Sequence, residues 1–234
     1  MRIAGTINWI AELPHDARRA IEARFEYRNL ASGEVLGETG QPCEGMYQVQ
    51  SGYVKLLGDQ PDGERALLAI YIPGNCFCES PVIDGRPHHH TTIAAGPARI
   101  GVLKKADFDE LYNQHPSIPE ALCRKLASTL SSLLSYRETQ NQTTVAQRVA
   151  LVLHNLAEIS QTPRLDRYKE IDVPITISEL STFLGLTRQT IQKEISQLKR
   201  RNVITKLPGN WAVREMNVLA GLARTQEYDL QYSD

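Results

Sequence analysis

Two groups of residues in this 234-residue chain have types and spacings that could do chemistry. The first lies between Ser178 and Ile204. Ile191, Ile195 and Leu198 recur there at helical spacing and predict a buried stripe, leaving Arg188, Gln189, Gln192, Lys193 and Ser196 facing out. A forked guanidinium fits the guanine edge in a DNA major groove, and a carboxamide fits adenine. Thr187, placed to cap that helix, and the helix N-terminus suit phosphate. From Thr187 to Arg214 the basic residues are Arg188, Lys193, Lys199, Arg200, Arg201, Lys206 and Arg214, against the single acid Glu194. The whole chain nets only −1, so this is a local basic patch of the kind that meets a phosphate backbone. The second group is Cys76-Phe77-Cys78 with Glu79, and, further along, His88-His89-His90. Thiolate and imidazole are the usual ligands for zinc, and either can hold haem iron.

The elements that must position these groups differ between the two halves. Up to about residue 100, glycine and proline punctuate short stretches rich in branched and aromatic residues. Met46–Leu57 and Leu67–Ile72 are examples, with turn signals at Asp62-Gly63, Pro73-Gly74 and Asp84-Gly85. This predicts a sandwich or jelly-roll barrel. From Ser117 to about Leu156 the pattern is helical, with a break near Asn141–Thr144. Leu122, Leu126, Leu130 and Leu133 form one stripe, wide enough for a barrel on one side and a partner helix on the other. A second helix is predicted over Val145–Ile159, and a short strand over Ile175–Ile177. A helix capped by Ser178 then runs through Leu184, Gly185 makes a sharp turn, and Ser181 sits at a close helix crossing. Ile204–Val213 reads as a hairpin wing turning at Pro208–Asn210. Cys43 and Cys123, each alone, are expected in the core. No apolar run reaches the ~18 residues of a membrane span, and no secretory signal is read at the start, so a cytoplasmic protein with reduced thiols is expected.

In combination these residues resemble the cyclic-AMP receptor protein/FNR (Crp/Fnr) family of bacterial regulators. ITISELSTFLGLTRQTIQKEISQLKRRNVI, Ile175–Ile204, is similar to its DNA-reading module. EGMYQVQSGYVKLL, Glu44–Leu57, and PGNCFCESPVIDGRP, Pro73–Pro87, are similar to its sensor barrel. The resemblance implies an α+β chain: a cyclic-nucleotide-binding-like jelly-roll barrel over 1–112, a long dimerisation helix over 113–142, and a winged helix-turn-helix over 143–234. It further implies a homodimer on a palindromic double-stranded DNA site, with RNA polymerase as a further partner. The DNA-contacting residues would be Thr187, Arg188, Gln189, Gln192, Lys193, Lys199 and Arg201.

Members that bind cyclic nucleotides hold the ribose with a Gly-Glu pair and the phosphate with Arg-Ser/Thr ten residues on. Here Cys78 precedes Glu79, and His89-His90 stand at the Arg-Ser/Thr positions. Leu133 and Leu134 stand where the family offers hydroxyls to adenine. The effector pocket would thus comprise Cys78, Glu79, Ser80, His89, His90, Leu133 and Leu134, and control by cyclic AMP is not expected. The family's haem-sensing branch has a Cys in the segment of Cys76–Cys78, but its nearby His is Ser80 here. The family's FNR-type iron–sulfur site uses a cysteine cluster near the N-terminus, and here no Cys precedes Cys43. Three readings of Cys76, Cys78, His88, His89 and His90 stay open: packing residues, ligands of a metal or haem, or the lining for another organic ligand. Thiol-redox sensing, and an effector module without DNA binding, are the alternative functions. No glycine-rich phosphate loop, nucleophile elbow or metalloprotease pairing is present, so an enzyme is not expected.

Overall fold

The computed structural model describes residues 3, 8–140, 142–163, 168–207 and 209–224. They fall into two compact units divided between Leu130 and Ser131. The first contains α1 (His15–Glu22), β1 (Glu26–Leu30), β2 (Val35–Gly37), β3 (Gly45–Ser51), β4 (Val54–Asp59), β5 (Arg65–Tyr71), β6 (Cys76–Phe77), α2 (Glu79–Asp84), β7 (Thr91–Ala94), β8 (Ala98–Lys104), α3 (Lys105–Gln114) and the start of α4 (Ser117–Gln140). Two antiparallel four-stranded sheets, in the orders β1-β8-β3-β6 and β2-β7-β4-β5, make the barrel that the sequence predicts.

Strand alternation assigns the barrel two cores. Tyr47 and Val49 on β3 and Ile100 and Val102 on β8 turn inward, onto Val54, Phe77 and Ala94. Their neighbours Met46 and Leu103, paired across the same ladder, turn outward to a helical layer containing Trp9, Ile21, Phe108, Leu111, Ile118 and Leu122. On β4 the alternation is a poorer guide, because Lys55 is itself buried.

The second unit holds α5 (Val145–Ile159), β9 (Lys169–Ile171), α6 (Ile177–Leu184), α7 (Arg188–Arg200), β10 (Ile204–Lys206), β11 (Trp211–Val213) and α8 (Met216–Ala223). α5 has the predicted bounds and is buried continuously from Val149 to Ala157. Two predicted details are corrected. The cap of α6 is Thr176, whose hydroxyl accepts from the Glu179 amide while Glu179 reaches back to the Thr176 amide. Ser178 is therefore already helical. Ile175–Thr176 form no strand; the third strand is β9, in the order β10-β11-β9. Among the described residues no helix is long and apolar enough to cross a membrane.

The first half of α4 is fastened to the barrel by an ion pair. Lys125 donates to the Glu79 carboxylate at the start of α2 and, at 2.8 Å, to the Cys76 carbonyl. Trp9 Nε1 donates to the same carboxylate at 3.0 Å. The Lys125 and Glu79 side chains are only 9% and 7% exposed, so neither charge could be left alone without a large desolvation penalty. Lys125→Met should therefore lower the barrel's stability by about 3–5 kcal/mol, whereas Lys125→Met with Glu79→Gln should recover most of it. Urea denaturation of the three proteins checks this; equal losses in single and double variants would contradict it.

Candidate functional site

Two left-handed turns fix the orientation of α7. Gly185, at φ +62°, ends α6, and the Leu186 amide reaches back to the Ser181 carbonyl at 3.0 Å. Ser181 also donates its hydroxyl to the Leu186 carbonyl, which locks the predicted crossing. Thr187 then caps α7 by accepting from the Thr190 amide at 3.1 Å. At the other end Asn202, at φ +57°, lets the Val203 amide close on the Leu198 carbonyl at 3.0 Å. Ile191, Ile195 and Leu198 are buried as predicted. Thr187, Arg188, Gln189, Gln192, Lys193, Lys199 and Arg201 are all exposed.

Beyond α7, β10 and β11 pair from Ile204↔Val213 to Lys206↔Trp211. The Lys206 ammonium lies 4.5 Å from the centre of the Trp211 ring, and the Leu207 amide bonds the Asn210 carbonyl. Pro208, in the predicted turn, lies outside the described residues. The result is a convex, cationic helix next to a hairpin, shaped for a groove and a phosphate backbone.

The residues predicted for an effector pocket differ in burial and in partners. Glu79 is buried and already held by Lys125 and Trp9. Ser80, His89 and His90 are exposed, and His89 Nε2 faces Asp84 at 3.4 Å. Leu133 and Leu134 are exposed on α4. Of the predicted metal ligands, Cys76 is fully buried, and that burial pushes its thiol pKa up. Cys123, expected in the core, is exposed.

Another set is brought together. Cys43, expected to be simple packing, lies with Cys78 and His88 so that their donor atoms fall within 4.8 Å of one another. Cys78 Sγ is 3.6 Å from His88 Nδ1. The Cys78 thiol bonds Cys43, which lowers the Cys43 pKa and, together with burial, pushes that of Cys78 well up. Burial lowers the pKa of His88. Cys78 has φ +66°, a left-handed conformation that costs a non-glycine residue roughly 1–2 kcal/mol. His88 is pressed onto bare backbone: a Cβ added to Gly37 would lie 2.5 Å from its Cε1. It is stacked beside Tyr47, with ring centres 6.5 Å apart. The sequence marks Cys78 and His88 as candidate ligands but gives no sign of Cys43, because loop pairing brings it in: the Gly40 amide bonds the His88 carbonyl, and the His88 amide bonds the Gln41 carbonyl.

Comparison with known proteins covers both units. The cyclic nucleotide-binding domain family model matches residues 27–115, and the Crp-like helix-turn-helix domain model matches residues 147–222. Together they cover more than half of the chain. The transcriptional activator protein FnrL of Cereibacter sphaeroides is 23% identical over 185 residues, 76% of this chain and 72% of that protein. The cyclic AMP receptor protein of Thermus thermophilus is 26% identical over 205 residues, 85% of this chain and 88% of its own. The structure of FixK2 from Bradyrhizobium japonicum aligns at a TM-score of 0.72 with 20% identity, covering 86% of this chain and 98% of that one, and shares the fold. With a cyclic-nucleotide-binding-type barrel and a Crp-like reading domain in this order, the chain belongs to the Crp/Fnr family of transcription regulators and carries that family's helix-turn-helix DNA-binding domain.

Proposed function

We propose that the chain works as a homodimer that reads a palindromic DNA site through the N-terminal half of α7. The observation that carries this reading is the division of α7: Ile191, Ile195 and Leu198 are buried while Thr187, Arg188, Gln189, Gln192 and Lys193 are exposed on the opposite face. In this reading Arg188 and Gln189 reach base edges. Lys193, Lys199, Arg201 and the Thr187 end of the helix meet phosphate. Residues 1–112 form the sensor barrel, 113–142 the dimerisation helix, and 143–234 the winged helix-turn-helix. The protein is a regulator rather than an enzyme, works in the cytoplasm, and contacts RNA polymerase; a relative named as a transcriptional activator supports that last assignment.

Dimerisation is supported by α4. Leu126, Leu130, Leu133 and Leu134 are 42%, 59%, 60% and 57% exposed in the single chain, an apolar face at helical spacing. Leu122, predicted in the same seam, is buried in the chain's own helical layer and is left out of it. Cyclic AMP does not control this regulator in our reading, although relatives are named for it. Glu79, which should hold the ribose, is occupied by Lys125 and Trp9, and His89 is exposed beside Asp84.

Each of these readings has its measurement. Arg188→Ala should cost about 1–3 kcal/mol on the preferred site and relax one base position per half-site, whereas Lys199→Ala should weaken all sequences alike. Gel shifts at fixed salt decide this, and unchanged affinity in Arg188→Ala would remove α7 from the groove. Light scattering at micromolar concentration should find a dimer that Leu126→Glu with Leu130→Glu reduces to monomer, because the seam would then bury carboxylates. The half-sites should be centred roughly 34–36 Å apart. Calorimetric titration with cyclic AMP at pH 7.5 should show no micromolar binding; such binding would mean that Glu79 releases Lys125.

A further inference from the structure

We propose that Cys43, Cys78 and His88 form a binding site for a zinc-class divalent cation in the barrel, outside the DNA-reading unit. The three donors come from separate stretches of chain, yet their atoms lie within 4.8 Å of one another. With zinc–sulfur and zinc–nitrogen bonds of about 2.3 and 2.0–2.1 Å, the thiolate–imidazole edge of a tetrahedron is about 3.6 Å. Cys78 Sγ and His88 Nδ1 stand 3.6 Å apart. The donor set of two sulfurs and one imidazole belongs to a borderline-soft cation, not to magnesium or calcium. Adjacent donors so close together suit neighbouring positions on one small ion; two axial haem ligands would stand on opposite faces of the macrocycle. Three protein ligands leave the fourth position to solvent or a small molecule.

Two features set this trio apart from packing. Cys78 holds its thiol in a left-handed backbone conformation, and His88 is oriented by its stack on Tyr47 and by contact with the Cα of Gly37. The backbone bonds between Gly40, Gln41 and His88 fix the two loops that carry Cys43 and His88 before any cation arrives. His89 and His90, exposed next to it, take no part.

The experiment titrates metal-free, reduced full-length protein with cobalt(II) chloride. The expected result is one equivalent bound, with thiolate-to-cobalt charge-transfer absorption and the strong visible bands of four-coordinate cobalt, displaced by zinc(II) chloride. Cys43→Ser and Cys78→Ser should each reduce the charge-transfer band. Their affinity should fall by more than the about 10–100-fold that losing an outer-shell partner costs. His89→Ala with His90→Ala, and Cys123→Ser, should leave band and affinity unchanged. No charge-transfer band in the wild type, or a band undiminished in both cysteine variants, would overturn the site. Should the variants fail to fold, the wild type still decides. Zinc should slow alkylation of the half-buried Cys43 while the exposed Cys123 reacts at its usual rate, and unchanged labelling of Cys43 would overturn the proposal.

Discussion

The arrangement of the barrel depends on one buried contact, the Lys125 ammonium on the Glu79 carboxylate. Two charges withdrawn from water must be satisfied by each other and by further polar groups. Here the carboxylate takes a second donor from Trp9, and the ammonium gives a second bond to the Cys76 carbonyl. These partners come from four places: the segment before α1, the start of β6, the start of α2, and α4. A single pair therefore ties helical layer, strand and long helix together at one point. It also withdraws Glu79 from any ligand. A nucleotide ribose would have to compete with a full positive charge for that carboxylate. The same contact that holds α4 to the barrel thus argues against the effector used by relatives named for cyclic AMP.

The reading unit solves a different problem, that of holding a cationic helix out in solvent without letting it fray. α7 gains little from its polar face, so its position rests on its three buried aliphatic residues and on both its ends. At the first end Gly185 turns the chain and Thr187 caps; at the second, Asn202 turns it again into β10. Because the buried stripe and both caps share one helix, an exposed residue such as Gln189 can be exchanged without touching what orients the helix. This separation allows members of one fold to read different sites.

Much of this was legible from local pattern. The bounds of α5, the stripe of α7, the Gly185 turn and the β-rich first half follow from periodicity and turn chemistry, which act over a few residues. The errors arise where distance in sequence matters. The leucine stripe of α4 is continuous on a helical wheel, yet Leu122 packs on Ile118 and Ala121's layer while Leu126 to Leu134 stay exposed, so periodicity alone could not say where one neighbour ends. The histidine run offered His88, His89 and His90 alike; the ring brought to the two thiols is His88, placed by backbone pairing to Gln41. Cys43 looked solitary because its companions are 35 and 45 positions away in the chain. Ser178 and Thr176 are both plausible caps by type; Glu179, three residues beyond Thr176, completes the reciprocal box and decides between them.

Among the described residues, two that are not glycine hold left-handed backbone, and the contrast between them bears on the metal site. Asn202 is of a type that tolerates this region, because its short amide can bond to nearby backbone, and it closes α7 where such a residue is wanted. Cys78 has no comparable local compensation; glycine would occupy its position without strain, and α2 would start as well from it. What glycine could not supply is the sulfur, which lies 3.6 Å from the buried His88 imidazole and within 4.8 Å of a second thiol. Strain held at a position where only the side chain can repay it is the pattern of a functional residue. The backbone therefore points, by an independent route, to one member of the trio that the donor distances pick out.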